Sequence, residues 1–159
     1  MGDPIEGRVA SLHLHPRIPG EALCEVPFMD LEEQKGIATN PRYYNRTGRA
    51  GMPGRRQISL IEREQIQEHV IALGLSEIPP GRVRSNIETF GIDLVLLVGQ
   101  QIEIGEACLL ITMPRDPCQK MDAICQGLRA LMSNNRQGVL AQVLRSGRIR
   151  AGDSIRLGR

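Results

Sequence analysis

The stretch TMPRDPCQK, residues 112–120, sets a thiol between cations. Arg115 lies three residues before Cys118, and Lys120 two residues after it. A free thiol has a pKa of about 8.5 and is mostly protonated at neutral pH, but nearby cations favour the thiolate. The thiolate is the form that attacks an electrophile or binds a soft metal. A helix expected to begin near Met121 would add the pull of its free N–H groups. The competing reading is a small cysteine filling a turn.

Other residues could gather an anion around that sulfur. RVRSN supplies Arg84 and Asn86, which would alternate onto one face of a strand. Such a pair can hold a phosphate and the polar edge of a heterocycle. Otherwise they are a solvated arginine and a turn-forming asparagine. Arg56 precedes an expected strand, and Arg136 lies in NNRQG; each is a candidate anion ligand or the partner of a surface acid. Residues 40–56, NPRYYNRTGRAGMPGRR, hold Arg42, Arg46, Arg49, Arg55 and Arg56 with no acidic residue. This long basic loop is either a lid over an anionic ligand or a solvated segment. His13 and His15 share a strand face, but without a carboxylate or third ligand they make a weak metal pair.

Composition narrows the classes. Of the 20 basic residues 18 are Arg, the side chain that binds phosphate and carboxylate by paired, planar hydrogen bonds. Aromatic residues total 3% and Trp is absent, so stacked single-stranded nucleic acid is not expected. The formal net charge is only +2, which also weakens that case. No apolar run approaches the roughly 20 residues of a membrane span. The first ten residues lack the basic and apolar regions of a secretory signal. Cys24, Cys108, Cys118 and Cys125 show no CxxC spacing, so a zinc site is not expected. A cytoplasmic protein with free thiols is the simplest account, with Cys108 and Cys125 in the core.

The elements that must position these groups are mostly short strands. GRVASLHLHP reads as a strand stopped by Pro16, with Val9, Ser11 and His13 on one face and Leu12 and Leu14 on the other. CEVPFMD reads as one short edge strand around Pro27. Ser59 and Glu62 have capping-box spacing before a helix in which Ile66, Val70 and Leu73 share a face and Gly74 ends it. His69 on that helix reads as a surface residue. Residues 82–91 read as a strand entering a turn. Residues 92–113 read as an apolar turn and two strands around Gly105-Glu106. Residues 122–132 read as a second amphipathic helix, and 138–158 as a meander with turns at Ser146-Gly147 and Gly152-Asp153. Many short strands with two helices argue for a mostly-β (α+β) barrel or curled sheet.

These segments, taken in order, resemble a stand-alone MOSC domain, the module also found at the C-terminus of molybdenum cofactor sulfurases. The resemblance runs from Gly7 to Leu157 and is carried by RRQISLIEREQI, RSNIETFGIDLVLLVGQQIEIGEACLLIT, PRDPCQK and the terminal GRIRAGDSI. It implies one domain over 7–158, with 1–6 as a tail and 40–56 as a loop within it. It implies a β-barrel with a few peripheral helices. It implies a molybdenum–pterin cofactor with Cys118 as metal ligand and Arg56, Arg84, Asn86, Arg115, Lys120 and Arg136 around the phosphate and pterin. Stand-alone relatives are linked to reduction of small N-hydroxylated compounds; others are proposed as sulfur carriers using a cysteine persulfide. The first role needs a small-molecule substrate and a separate electron-donor protein, and the second a sulfur-donor desulfurase. A third possibility is a binding module without chemistry. One departure stands out: relatives carry a Gly-x-x-Gly-Asp segment before the RQISL motif, and here KGIATNPRYYNRTG keeps Gly36 but not the Gly-Asp pair.

Overall fold

Short alternating runs of Ile, Leu and Val carry most of the chain into strands, and turns rich in Gly and Pro separate them. The computed structural model describes residues 6–158. Of the expected tail 1–6, residues 1–5 lie outside the described residues, and Glu6 already belongs to the first strand.

The strands are β1 (Glu6–Leu14), β2 (Cys24–Val26), β3 (Phe28–Glu32), β4 (Gly36–Ile37), β5 (Ile58–Glu62), β6 (Ile87–Phe90), β7 (Gln101–Ile104), β8 (Ala107–Pro114), β9 (Val139–Arg145), β10 (Gly147–Arg150) and β11 (Ser154–Leu157). The helices are α1 (Arg63–Leu73), α2 (Lys120–Ile124) and α3 (Leu128–Leu131). Strands β11, β7, β8, β9, β5, β6 and β1 pair in that order, and β1 pairs back onto β11 to close a barrel. β2 hangs on β1, while β10, β3 and β4 form a second small sheet. The expected mostly-β barrel with a few outer helices is therefore the fold. No helix is long and apolar enough to cross a membrane among the described residues.

Two apolar cores organise it. The first fills the barrel and the space under the small sheet, with Leu12, Leu60, Ile87, Ile102, Leu109 and Ile155 fully buried. The second lies outside the barrel wall, where Ile61, Ile66, Val70, Val83, Met121, Leu128 and Met132 pack together. β5 serves both, which is why all five of its residues are buried. Gly74 ends α1 in the left-handed region (φ 67°), as expected.

Several local expectations are corrected by long-range contacts. A bulge between Val9 and Ser11 shifts the register of β1, so Val9 joins Leu12 in the barrel core rather than facing with Ser11 and His13. CEVPFMD is two strands: Pro27 cannot donate to a ladder, and the chain changes sheets there. Ser59 caps no helix; it lies inside β5, bonded to Asn86, and Glu62 accepts the Leu94 N–H at 3.2 Å. Residues 122–132 form two short helices. The chain breaks at Gly127 (φ 95°), and the Asp122 carboxylate accepts the N–H groups of Gly127 and Arg129. Cys125 is accordingly only half-buried, whereas Cys108 is buried as expected. The tail is not a meander. β9 pairs with β5 and β8, β10 with β3, and β11 with β1 and β7, so no two of these neighbours in sequence pair with each other. His69 is buried, with Nε2 3.0 Å from the Arg136 carbonyl.

Candidate functional site

Two anchors in the outer core fix the site. Val83 is fully buried and immediately precedes Arg84; Met121 is fully buried three residues after Cys118. Between them β8 ends, and its register shifts between Ile111 and Met113 just before the chain leaves the barrel wall. Cys118 follows on the exposed segment that leads into α2. That helix has only five residues, so the helical contribution expected for the thiolate is weak.

Arg84 does not lie on a strand. It sits in a turn before β6, in the left-handed region (φ 66°), with its N–H bonded to the Gly81 carbonyl at 3.1 Å. A non-glycine residue held there is strained and persists only where its surroundings enforce it. The enforcement comes from Arg115, whose Nη1 donates to the Arg84 carbonyl and to Ser85 Oγ, both at 3.1 Å. Arg84 Nη1 donates to the Glu21 carbonyl at 2.9 Å. Its Nη2 is sealed from solvent with no hydrogen-bond partner.

Arg115 is 6% exposed, and its main-chain N–H is bonded to the Gly138 carbonyl at 3.0 Å. No carboxylate pairs with Arg84 or Arg115 among the described residues, whose ion pairs all lie elsewhere. Buried charge is costly unless paired. Two neighbouring guanidinium groups without an acid leave planar donor forks of the kind that an external anion can fill.

The basic loop brings more cations. The Arg56 guanidinium stacks 4.6 Å from the centre of the Tyr43 ring, and Arg46 lies 5.9 Å from it. The loop is folded back by the Thr47–Pro53 bridge and held by Gln57, whose Nε2 donates to the carbonyls of Gln34 and Gly54. Charge reaches between these groups. Burial brings the Arg115 pKa down to about 10, Arg56 and Arg84 push the same way, and Cys118 and Tyr43 oppose them. Arg84 is lowered first by burial and then by Arg42, and Cys118 again opposes. The thiol, the phenol, Arg42 and Arg56 thus lie within electrostatic reach of the Arg84–Arg115 pair. Beside it a pocket of about 260 Å³ is lined by Arg82, Arg84 and Lys120 together with Gly20, Ala22 and Ile124.

The structure thus gathers Cys118, Arg56, Arg84, Arg115 and Lys120. It places two other predicted residues differently. Asn86 is buried behind the site: Oδ1 accepts from the N–H and Oγ of Ser59, both at 3.1 Å, and Nδ2 donates to the His13 carbonyl at 3.1 Å. Three of its bonds are spent tying β1, β5 and β6 together, and it presents no free edge. Arg136 pairs with Glu68 of α1, and its carbonyl meets His69. It links the loop before β9 to α1 rather than joining the cluster. No group of three His, Cys, Asp or Glu side chains that could hold a metal gathers among the described residues. His13 Nδ1 donates to the Ser85 carbonyl at 3.0 Å, and His15 Nδ1 faces Asn40 Oδ1.

Sequence reasoning missed Tyr43 and Ser85, and weighed His15 only as half of a weak metal pair. Tyr43 carried a signal, as an aromatic within an arginine-rich loop. Ser85 carried none, because it is defined by partners distant in the chain.

Comparison with known proteins agrees with this architecture. The YuaD protein of Bacillus subtilis has a similar structure, with a TM-score of 0.82 and 22% identity over 99% of this chain and 98% of that one. YiiM of Geobacillus stearothermophilus matches with a TM-score of 0.71 and 15% identity over 96% of this chain and 75% of its own. YiiM of Escherichia coli matches with a TM-score of 0.68 and 19% identity over 96% and 70%. No functionally curated protein matches the chain. The profile of the MOSC domain matches residues 18–156, which take in every barrel strand except β1. The chain therefore belongs to the MOSC domain family, which is associated with molybdenum cofactor binding.

Proposed function

We propose that this chain holds a molybdenum–pterin cofactor and uses it to reduce small N-hydroxylated compounds. The observation that carries the reading is the acid-free guanidinium pair, Arg115 and Arg84 with its unpartnered Nη2, coupled to the exposed Cys118. The donor set fits the group: soft sulfur for the metal, and planar cationic forks for an anionic phosphate. When bound, the cofactor supplies the two-electron chemistry, and electrons reach it from a separate donor protein.

The chain's own residues bind and orient. Cys118 offers the single protein ligand on an accessible segment. Arg115 is preorganised by the Arg84 carbonyl, Ser85 and Gly138, so little side-chain freedom is lost when an anion arrives. Arg56 is held flat against Tyr43 and adds positive field. Lys120 and Arg82 flank the adjoining pocket, which suits a small polar substrate.

Molybdenum analysis tests this on protein made in a cofactor-producing host. Stoichiometric molybdenum and pterin fluorescence, both lost in Cys118→Ser, are expected. Protein that carries neither above background would defeat the proposal.

The exposure of Cys118 also favours a sulfur carrier. Its thiolate would attack the terminal sulfur of a donor persulfide, forming the Cys118 persulfide and releasing the donor thiolate. The mark of this role is a mass gain of about one sulfur atom on Cys118, reversed by a thiol reductant.

A further inference from the structure

His15 takes no part in the proposed function, yet it stands among the same charges. It directly follows β1 and is 6% exposed. Its main-chain N–H donates to Asn40 Oδ1 at 2.9 Å, and its ring Nδ1 lies 3.2 Å from the same oxygen. These two contacts settle the protonation pattern. An N–H can only donate, so the Asn40 atom facing it is the oxygen. That oxygen can only accept, so Nδ1 carries the proton and Nε2 carries the lone pair.

The amide orientation leaves Asn40 Nδ2 buried without a partner, a cost accepted to keep Oδ1 on His15. Tyr43 packs edge-on against the imidazole, with ring centres 5.3 Å apart, and fixes its plane. Nε2 takes no hydrogen bond among the described residues. It is also not sealed off, in contrast to His13 Nε2, which is both buried and unpartnered.

Asn40 and Tyr43 from the basic loop touch this ring, and the charges of Arg42 in the same loop, Arg84 in the turn before β6 and Arg115 after β8 reach it. Burial pushes the His15 pKa down to about 4, and the three arginines push it further; only the Asn40 bond opposes them. The ring is therefore neutral at physiological pH. The neighbouring arginines are cationic donors, which bind any oxyanion. A lone-pair nitrogen discriminates, because it needs a ligand that brings a proton.

We propose that His15 Nε2 is the specificity-determining acceptor of the arginine cluster, selecting oxyanions that keep an O–H, such as inorganic phosphate, over fully ionised ones. This rests on reading the cluster as an anion site, and the two ideas fail differently.

The test compares inorganic phosphate, which retains a P–OH near neutral pH, with sulfate, which has none. Titration calorimetry on the purified protein should show phosphate binding about tenfold more tightly, the worth of one good hydrogen bond. In His15→Phe the two anions should bind alike. Equal binding by the wild type overturns the role of His15 and leaves the anion site standing. Binding of neither anion overturns both. A two-bond proton–nitrogen correlation spectrum of the unmodified protein reads the tautomer without any substitution. A neutral ring protonated on Nδ1 at pH 6 is expected, and protonation on Nε2 overturns the proposal.

Discussion

Arg115 Nη1 donates to the main-chain carbonyl of Arg84 at 3.1 Å, so one guanidinium is fixed by the backbone of the residue that bears the next. The two charges are thereby brought together by a hydrogen bond rather than by a shared acid. Positive charge in the site is built into the backbone turn that precedes β6.

Replacement of Arg115 should separate stability from binding. A buried cation without an acid partner is a net burden to the folded state. Arg115→Met keeps much of the volume and removes the charge. We expect relief of the buried charge to be largely offset by loss of the bonds to the Arg84 carbonyl and Ser85, leaving the thermal midpoint close to that of wild type, while phosphate affinity falls at least tenfold. Melting curves and calorimetry on the same preparation check both halves.

Asn86 should behave in the opposite way. Its amide binds Ser59 twice and the His13 carbonyl once, all in the interior. Asn86→Ala leaves buried partners unsatisfied and should cost about 2–4 kcal/mol by denaturant unfolding. Anion affinity of the protein that remains folded should change little.

Gly138 is a steric requirement. It adopts φ 72°, and a Cβ there would collide with the Leu60 carbonyl oxygen. Its own carbonyl also receives the Arg115 N–H. Gly138→Ala should destabilise by more than about 2 kcal/mol through strain and overlap. Soluble yield and thermal midpoint should both drop sharply.

Glu62 should make stability depend on pH. Burial raises its pKa to about 7; the Leu94 N–H opposes this, and Asp93, Glu64 and Glu68 reinforce it. In the unfolded chain it titrates at an ordinary carboxyl value. Between the two values the folded state binds more protons, so stability falls as pH rises through that window. The protonated carboxyl stabilises fully in acid, and the advantage is lost above about pH 7. Glu62→Gln keeps the acceptor for Leu94 and cannot ionise. It should match wild type near pH 4.5 and exceed it at pH 8 by about 2–3 kcal/mol, a gap that denaturant curves at the two pH values would measure.

Much of the fold was legible because its signals are local. Alternating aliphatic residues, the Gly105-Glu106 turn and the Gly74 stop depend only on near neighbours, and each element formed. Ser59 shows where local reading fails. Its spacing to Glu62 fits a helix cap, but the exchange of hydrogen bonds with Asn86, 27 residues away, holds it in a strand. Residues 122–132 fail for a related reason, since Asp122 caps a second short helix and interrupts the first.

The sequence by itself determined the barrel class, the cysteine on its exposed segment and the excess of arginine over acid around it. Residue type and short-range spacing are enough for those. Only the tertiary structure decided which arginines converge, because Arg84 and Arg115 meet through a turn and a strand end brought together by barrel closure. The same closure set Asn86 and Arg136 to structural work and placed His15 among the cations. Hydrogen-bond partners far apart in the chain, rather than propensity, made those choices.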